Sequence, residues 1–265
     1  NDKTKALWEK AKTRYRPQAF QDFSAAYGIL TDFAGSFDPQ SSSSVYGPDI
    51  VGHIYEEHFT GRHNQDQFWT PWDICLLMAQ MSHDPQMLQQ RILDAIRAEL
   101  KEETAKSALL IACGLTLTAC QNDVPLAGQQ SIFTRYVIPA VKDRIEPITI
   151  NDPACGSGRT LLAAGYQYPG WAFREGLVQL YGQDIDPTCV LMTQLNLNLC
   201  GMGDQRAARM MAEIEYQMAR ADNPASLPAN ALPANALPAN ALPIETTTIA
   251  AAAALETFVQ AQLFA

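Results

Sequence analysis

The chain is short of basic residues, of paired cysteines and of long apolar runs, and each shortage excludes a class of protein. Nineteen Lys and Arg stand against 28 Asp and Glu, giving a net charge of -9 and a pI near 4.9. That balance argues against broad, nonspecific coating of nucleic acid, which needs a basic face. DNA binding through a local basic patch, or through a basic partner subunit, stays open. The six cysteines (Cys75, Cys113, Cys120, Cys155, Cys189 and Cys200) show neither close-paired zinc spacing nor a dense secreted framework. Most lie in apolar helical patterns, so they read as buried free thiols of a reducing compartment, and a cytoplasmic location is expected. No signal peptide is evident, and the longest apolar stretch, Ser107 to Cys120, is too short to span a bilayer. The chain starts at Asn1 without a Met, so the true N-terminus is expected to be missing or processed.

What is present is material for a buried core. Hydrophobic residues make up 47% and charged residues 18% of 265, enough for one large domain or two modest ones. Residues 3–35 read as helical, with Phe20, Phe23, Tyr27 and Leu30 spaced along one face. Lys3, Lys5, Lys10, Lys12, Arg14 and Arg16 form a dense basic cluster, either a solvated helix face or a phosphate-facing patch. Ser41 to Ser44 reads as a flexible connector. Asp49 to Phe59 then reads as an amphipathic helix. Its His53 and His58 lie five apart, on different faces, so no metal site is expected there.

A polar loop, Gly61 to Asp66, leads to Gln67-Phe-Trp-Thr-Pro-Trp, where Thr70 fits a helix N-cap with Pro71 at the first helical position. Phe68 and Trp69 either join the core or cover a ring or a sulfonium. Residues 85–120 read as a long helical stretch broken near Ser107, and residues 130–144 as a further helix. The period then changes. Pro147 to Asn151 reads as a buried strand, Arg159 to Tyr166 as a helix, Leu177 to Gln183 as a second strand, and Thr188 to Cys200 as a second helix. That alternation implies parallel pairing, so an α/β layer fold begins here. A Met- and Ala-rich helix is expected up to Arg220. Beyond it the repeated Leu-Pro-Ala-Asn-Ala, with a Pro every five residues, excludes regular helix or central strand. The last dozen residues read as a short docking helix.

The chemistry concentrates in Asp152-Pro-Ala-Cys-Gly-Ser-Gly158, at the end of the first strand. It lacks the Gly-Lys-Ser/Thr ending of a phosphate loop, and Leu161 stands where a dinucleotide fingerprint has its third glycine. An acid in such a loop suits a cationic ligand. Asp152 either orders the loop or attracts an ammonium group, while Gly156 and Gly158 let backbone pass close beneath the ligand. Asp184, at the end of the second strand, is placed to accept the two hydroxyls of a ribose. A glycine loop and a ribose acid without phosphate machinery suggest S-adenosylmethionine. The plain alternative is that Asp152 and Asp184 are turn residues at strand ends.

Asp152 to Gly158, together with Phe68-Trp-Thr-Pro71, resembles the adenine-N6 DNA methyltransferases, and most closely the modification subunit of type I restriction-modification systems. Asp49-Ile-Val-Gly-His-Ile-Tyr-Glu56 looks like that family's helix before the cofactor lid. Tyr181-Gly-Gln-Asp-Ile-Asp-Pro187, with Asn196-Leu-Asn-Leu199, looks like its ribose-binding strand and following helix. The likeness spans residues 45 to 203. It implies that Phe68, Trp69 and Thr70 contact the methionine part of the cofactor and that Asp152, Pro153, Ala154, Cys155, Gly156, Ser157 and Gly158 wrap it. Asp184 would hold the ribose and Ile185 would flank the adenine. It further implies a flipped-out adenine in double-stranded DNA as substrate, a protein partner for site recognition, and no metal.

The likeness also implies a layout: a helical N-terminal region over 1–145 with a lid helix at 67–81, then a Rossmann-like cofactor-binding α/β domain over 146–220, with a low-complexity tail over 221–265. The family's Asn/Asp-Pro-Pro-Tyr/Phe run is not found in these 265 residues, so no catalytic residue is assigned. Residues 201–265 also offer too few strand signals to complete the family's sheet. Three readings follow. The first is a DNA adenine-N6 methyltransferase. The second is an inactive module of the same ancestry with a regulatory, anti-restriction or protein-binding role. The third, a small-molecule methyltransferase, is disfavoured by the lid helix.

Overall fold

A computed structural model describes residues 2–38, 47–58, 69–101, 106–122, 124–203 and 259. Phe68, the Ser41 to Ser44 connector, the Gly61 to Asp66 loop and the repeat-bearing tail lie outside the described residues, as does the expected helix beyond residue 203. The chain divides into two compact units. The first comprises residues 1–77, 152–163 and 182–203, and the second the remainder.

In the first unit, residues 3–35 are helical as expected, and they form two helices: α1 (Asp2–Arg14) and α2 (Pro17–Ser36). Pro17 causes the break. It disfavours helical dihedrals at the residue before it, and Arg16 sits extended at φ -69°, ψ 152°. Next come α3 (Ile50–His58), the opening of α4 (Trp72–Ser82) and α11 (Pro187–Leu199), and α11 packs on both α2 and α3. Trp72 is fully buried and meets Phe37 edge-on at 5.8 Å.

The second unit holds α5 (Pro85–Leu100), α6 (Lys106–Gln121) and a continuous helical run from α7 (Leu126–Ile132) through α8 (Ile138–Val141) to a 3-10 turn at Lys142–Arg144. The run widens to a π-helical turn at Phe133–Val137. Pro139 accounts for the widening: it has no N–H to give Arg135 and its ring crowds that carbonyl. Leu88, Ile92, Leu93, Ile96, Leu109, Phe133 and Ile138 are buried and form an apolar core. Arg144 Nε meets Glu99 Oε2 at 2.5 Å, and Arg91 Nη1 donates to the carbonyls of Glu146 (2.6 Å) and Pro147 (3.1 Å), tying down the entry to the sheet. Val259 is buried, and its carbonyl accepts from Gln89 Nε2 at 2.6 Å.

β1 (Ile148–Asp152) and β2 (Val178–Gly182) pair in parallel, with α9 (Arg159–Gly165) and α10 (Gly170–Arg174) between them in sequence. Ile148 N–H donates to Leu177 O at 2.8 Å, and Gln183 N–H to Asp152 O at 2.9 Å. β1 buries Ile148 and Ile150 but exposes Thr149 and Asn151, so only one face of the expected buried strand is covered. The described residues are thus mostly helical with a small parallel sheet. Among them no helix is long and apolar enough to cross a membrane.

Three Asp-Pro steps share one local device. Asp84 Oδ1 accepts from Gln86 N–H at 2.9 Å, Asp186 Oδ1 from Thr188 N–H at 2.8 Å, and Asp152 Oδ1 from Ala154 N–H at 2.9 Å. The first two cap α5 and α11 with Pro at the helix start. The third opens a loop, because two glycines follow it.

Candidate functional site

That loop lies in the first unit, between β1 and α9. Gly156 and Gly158 both take positive φ, 54° and 90°, which side-chain-bearing residues avoid. At Gly158 a Cβ would lie 3.0 to 3.1 Å from Thr193 of α11, including its Cα, so the close approach needs glycine as well. The loop is fastened by its own groups. Cys155 N–H donates to Gln183 O at 2.8 Å, Gly158 N–H to Cys155 O at 2.7 Å, and the Thr193 hydroxyl to Gly156 O at 2.9 Å. The second carboxylate oxygen of Asp152 accepts from the Thr160 hydroxyl. Both Asp152 oxygens therefore order the loop, one of the two roles open to it.

Asp184 comes next to this loop from the end of β2. Its Oδ2 accepts from Gly156 N–H and its Oδ1 from Asp186 N–H, each at 2.9 Å. An ionised carboxylate has about four lone-pair sites, so accepting capacity remains for hydroxyl donors. Ile185 beside it is fully exposed. Pro153 and Ala154 are exposed, whereas Cys155 and Ser157 are buried and turn their side chains inward. Trp69 lies against the loop: a Cβ on Gly156 would be 3.2 Å from its ring, and Tyr55 meets that ring at 6.4 Å.

Beneath the loop is a buried polar cluster that sequence reasoning missed. Asp49, the residue before α3, is wholly buried. Its Oδ1 accepts from Gly52 N–H (2.8 Å) and Asn196 Nδ2 (2.6 Å). Its Oδ2 accepts from the Ser157 hydroxyl and from Arg159 Nε at 2.9 Å, and Arg159 Nη2 is ion-paired with the same oxygen at 2.9 Å. Arg159, 5% exposed, sends Nη1 to the carbonyl of Thr70 at 2.9 Å. Asn196 Nδ2 also reaches Ser157 O at 2.8 Å. Gly52 has no room for a side chain, since a Cβ would run into the Asp49 carboxylate and the Ser157 hydroxyl.

This cluster corrects the expectation at Thr70, which does not cap a helix begun by Pro71. α4 opens at Trp72, and Pro71 O receives Ile74 N–H and Cys75 N–H, both at 3.1 Å. The Thr70 carbonyl accepts from Arg159 Nη1 and from Cys75 Sγ (3.7 Å). The available signals were the Asp49-x-x-Gly52 spacing and an Arg directly after Gly158.

Burial disfavours the thiolate form of the cysteines around the loop. Burial pushes the Cys75 thiol up to about 11, Cys189 up to about 11, and raises Cys155 as well. Among the described residues no group of three or more His, Cys, Asp or Glu side chains could hold a metal ion.

Against known proteins, one stretch of the chain has a counterpart. Residues 132–224 match the family model of the N-6 DNA methylases. No curated protein and no solved structure matches the chain. The matched stretch covers about a third of the chain and contains β1, the glycine loop, β2, Asp184 and α11. Asp49 and Trp69 to Pro71 precede it.

Proposed function

We propose that this chain binds S-adenosylmethionine and serves adenine-N6 methylation of DNA, its strand–loop–helix units forming part of a Rossmann-like methyltransferase domain. The observation that carries this reading is the Asp184 carboxylate held on Gly156 of a positive-φ glycine loop, inside the stretch that matches N-6 DNA methylases. The residues present suit the group. Asp184 keeps acceptor capacity for a ribose diol, Ile185 offers an exposed apolar side chain for a flat ring, and Gly156 and Gly158 leave bare backbone beneath. Phe68, Trp69 and Thr70 would face the methionine portion. When bound, S-adenosylmethionine supplies an electrophilic methyl group; this chain's residues bind and orient it. Double-stranded DNA is the substrate in this reading, with a partner subunit for site recognition.

A second reading, a cofactor-binding module without transfer, is favoured by the lack of an Asn/Asp-Pro-Pro-Tyr/Phe run in these 265 residues. Calorimetric titration of S-adenosylmethionine against wild type and Asp184→Ala tests the shared premise. Saturable heat with wild type and its loss in the variant are expected; equal heats, or none, would sink it. Tritiated methyl transfer to adenine-containing DNA then separates the readings, because binding without transfer selects the second.

A further inference from the structure

We propose that the buried pair Asp49–Arg159 is a positioning device that couples the lid backbone at Thr70 to the glycine loop. It thereby sets affinity for the methionine half of the cofactor and not for the adenosine half. The inference rests on the cofactor reading above and deepens it.

The helix cap does not explain an acid at residue 49. Capping α3 needs one acceptor for Gly52 N–H, which Asn supplies as well as Asp. The full charge is called for by Arg159, whose Nε and Nη2 both fall on Asp49 Oδ2. A buried ion pair is a costly way to fill space, and apolar residues of the same volume often do as well. What apolar residues could not do is hold three separate strands of backbone in register. Through Asp49 and Arg159 the start of α3, the Thr70 carbonyl and the Ser157 hydroxyl share one hydrogen-bonded cluster, with Asn196 of α11 completing it.

The loop is gripped by two carboxylates at adjacent residues. Asp184 holds Gly156, on the side proposed for the ribose, and Asp49 holds Ser157, on the side that leads through Arg159 to Thr70. The two grips act on different ends of one ligand, so they can be separated.

The test is calorimetry of the full chain with S-adenosylmethionine and, separately, with adenosine, on wild type, Asp49→Asn and Arg159→Lys. Arg159→Lys keeps the charge and loses the fork, so it serves if Asp49→Asn fails to fold. The expected result is Kd for S-adenosylmethionine weakened about tenfold with adenosine changed less than about twofold, at unchanged stoichiometry. Equal weakening of both ligands would mean a merely structural role and overturn the inference, as would an unchanged Kd for S-adenosylmethionine. If wild type bound neither ligand, the cofactor reading would fall first and this inference with it. If wild type bound both and Asp184→Ala lost adenosine while the pair variants behaved as wild type, only the coupling would be refuted.

Discussion

The two units fill their interiors differently. Both bury apolar side chains, such as Trp72, Leu161 and Leu162 in the first and Leu88, Ile92, Leu109, Phe133 and Ile138 in the second. The first, however, also buries Asp49, Ser157, Arg159, Thr193 and Asn196 together around the glycine loop, whereas Glu99, Thr116 and Gln129 are the buried polar residues described in the second. Apolar packing is nondirectional, so it holds helices together and tolerates swaps of similar volume. It does not dictate the dihedrals of a seven-residue loop. Directional bonds do: the N–H groups of Cys155, Gly156 and Gly158 and the carbonyl of Gly156 each have a named partner. Polar burial therefore marks where geometry, and not bulk stability, has been specified.

The contrast is open to test by mutation. The largest effect is expected from Asp49→Ala, which strips the buried Arg159 of its fork partner and should cost about 3–5 kcal/mol. Urea unfolding followed by tryptophan fluorescence would measure it, and a loss under about 1 kcal/mol would erase the distinction between the two interiors. In the second unit, Leu88→Ala should cost about 3 kcal/mol, whereas Leu88→Met should cost less than about 1.5 kcal/mol. Similar losses from both would show that this core is as shape-specific as the polar cluster. Gly158→Ala should cost about 1–2 kcal/mol from its φ of 90°, before the clash with Thr193 is counted. It should also weaken any ligand the loop holds.

The smallest effect concerns pH. Burial lowers the pKa of His83 below its ordinary 6.5, so the unfolded chain takes up that proton more readily than the folded one. Its contribution to stability is full above that ordinary value and lost as pH falls below it towards the folded pKa. Replacing His83 with Gln should flatten the decline in unfolding midpoint between about pH 7 and pH 5. An unchanged slope would assign the decline to other groups.

The elements that read most clearly from sequence are those governed by local chemistry. Asp84-Pro85 and Asp186-Pro187 start helices because an acid accepts from the N–H two residues on while Pro supplies a helical φ. The strand-to-loop turn at Asp152 was legible for the same reason, as were the helix start at Arg159 and the parallel pair of strands. The break at Pro17 is not part of the sequence reading, in which residues 3–35 are simply helical; the structure shows it. At Thr70-Pro71 the helix opens later than the local signal implies, at Trp72, and the Thr70 carbonyl accepts from Arg159, 89 residues further on.

The sequence by itself determined the glycine loop, since only Gly adopts the dihedrals at 156 and 158 without strain, and it determined the acid that follows the second strand. Only the tertiary structure decided what Asp49, Ser157, Arg159 and Asn196 do. Each is an ordinary polar residue in its own segment, separated from its partners by up to 147 positions. A hydrogen-bonded cluster of that span leaves no period or spacing in the chain, because its bonds are set by where folded segments meet and not by neighbours in sequence.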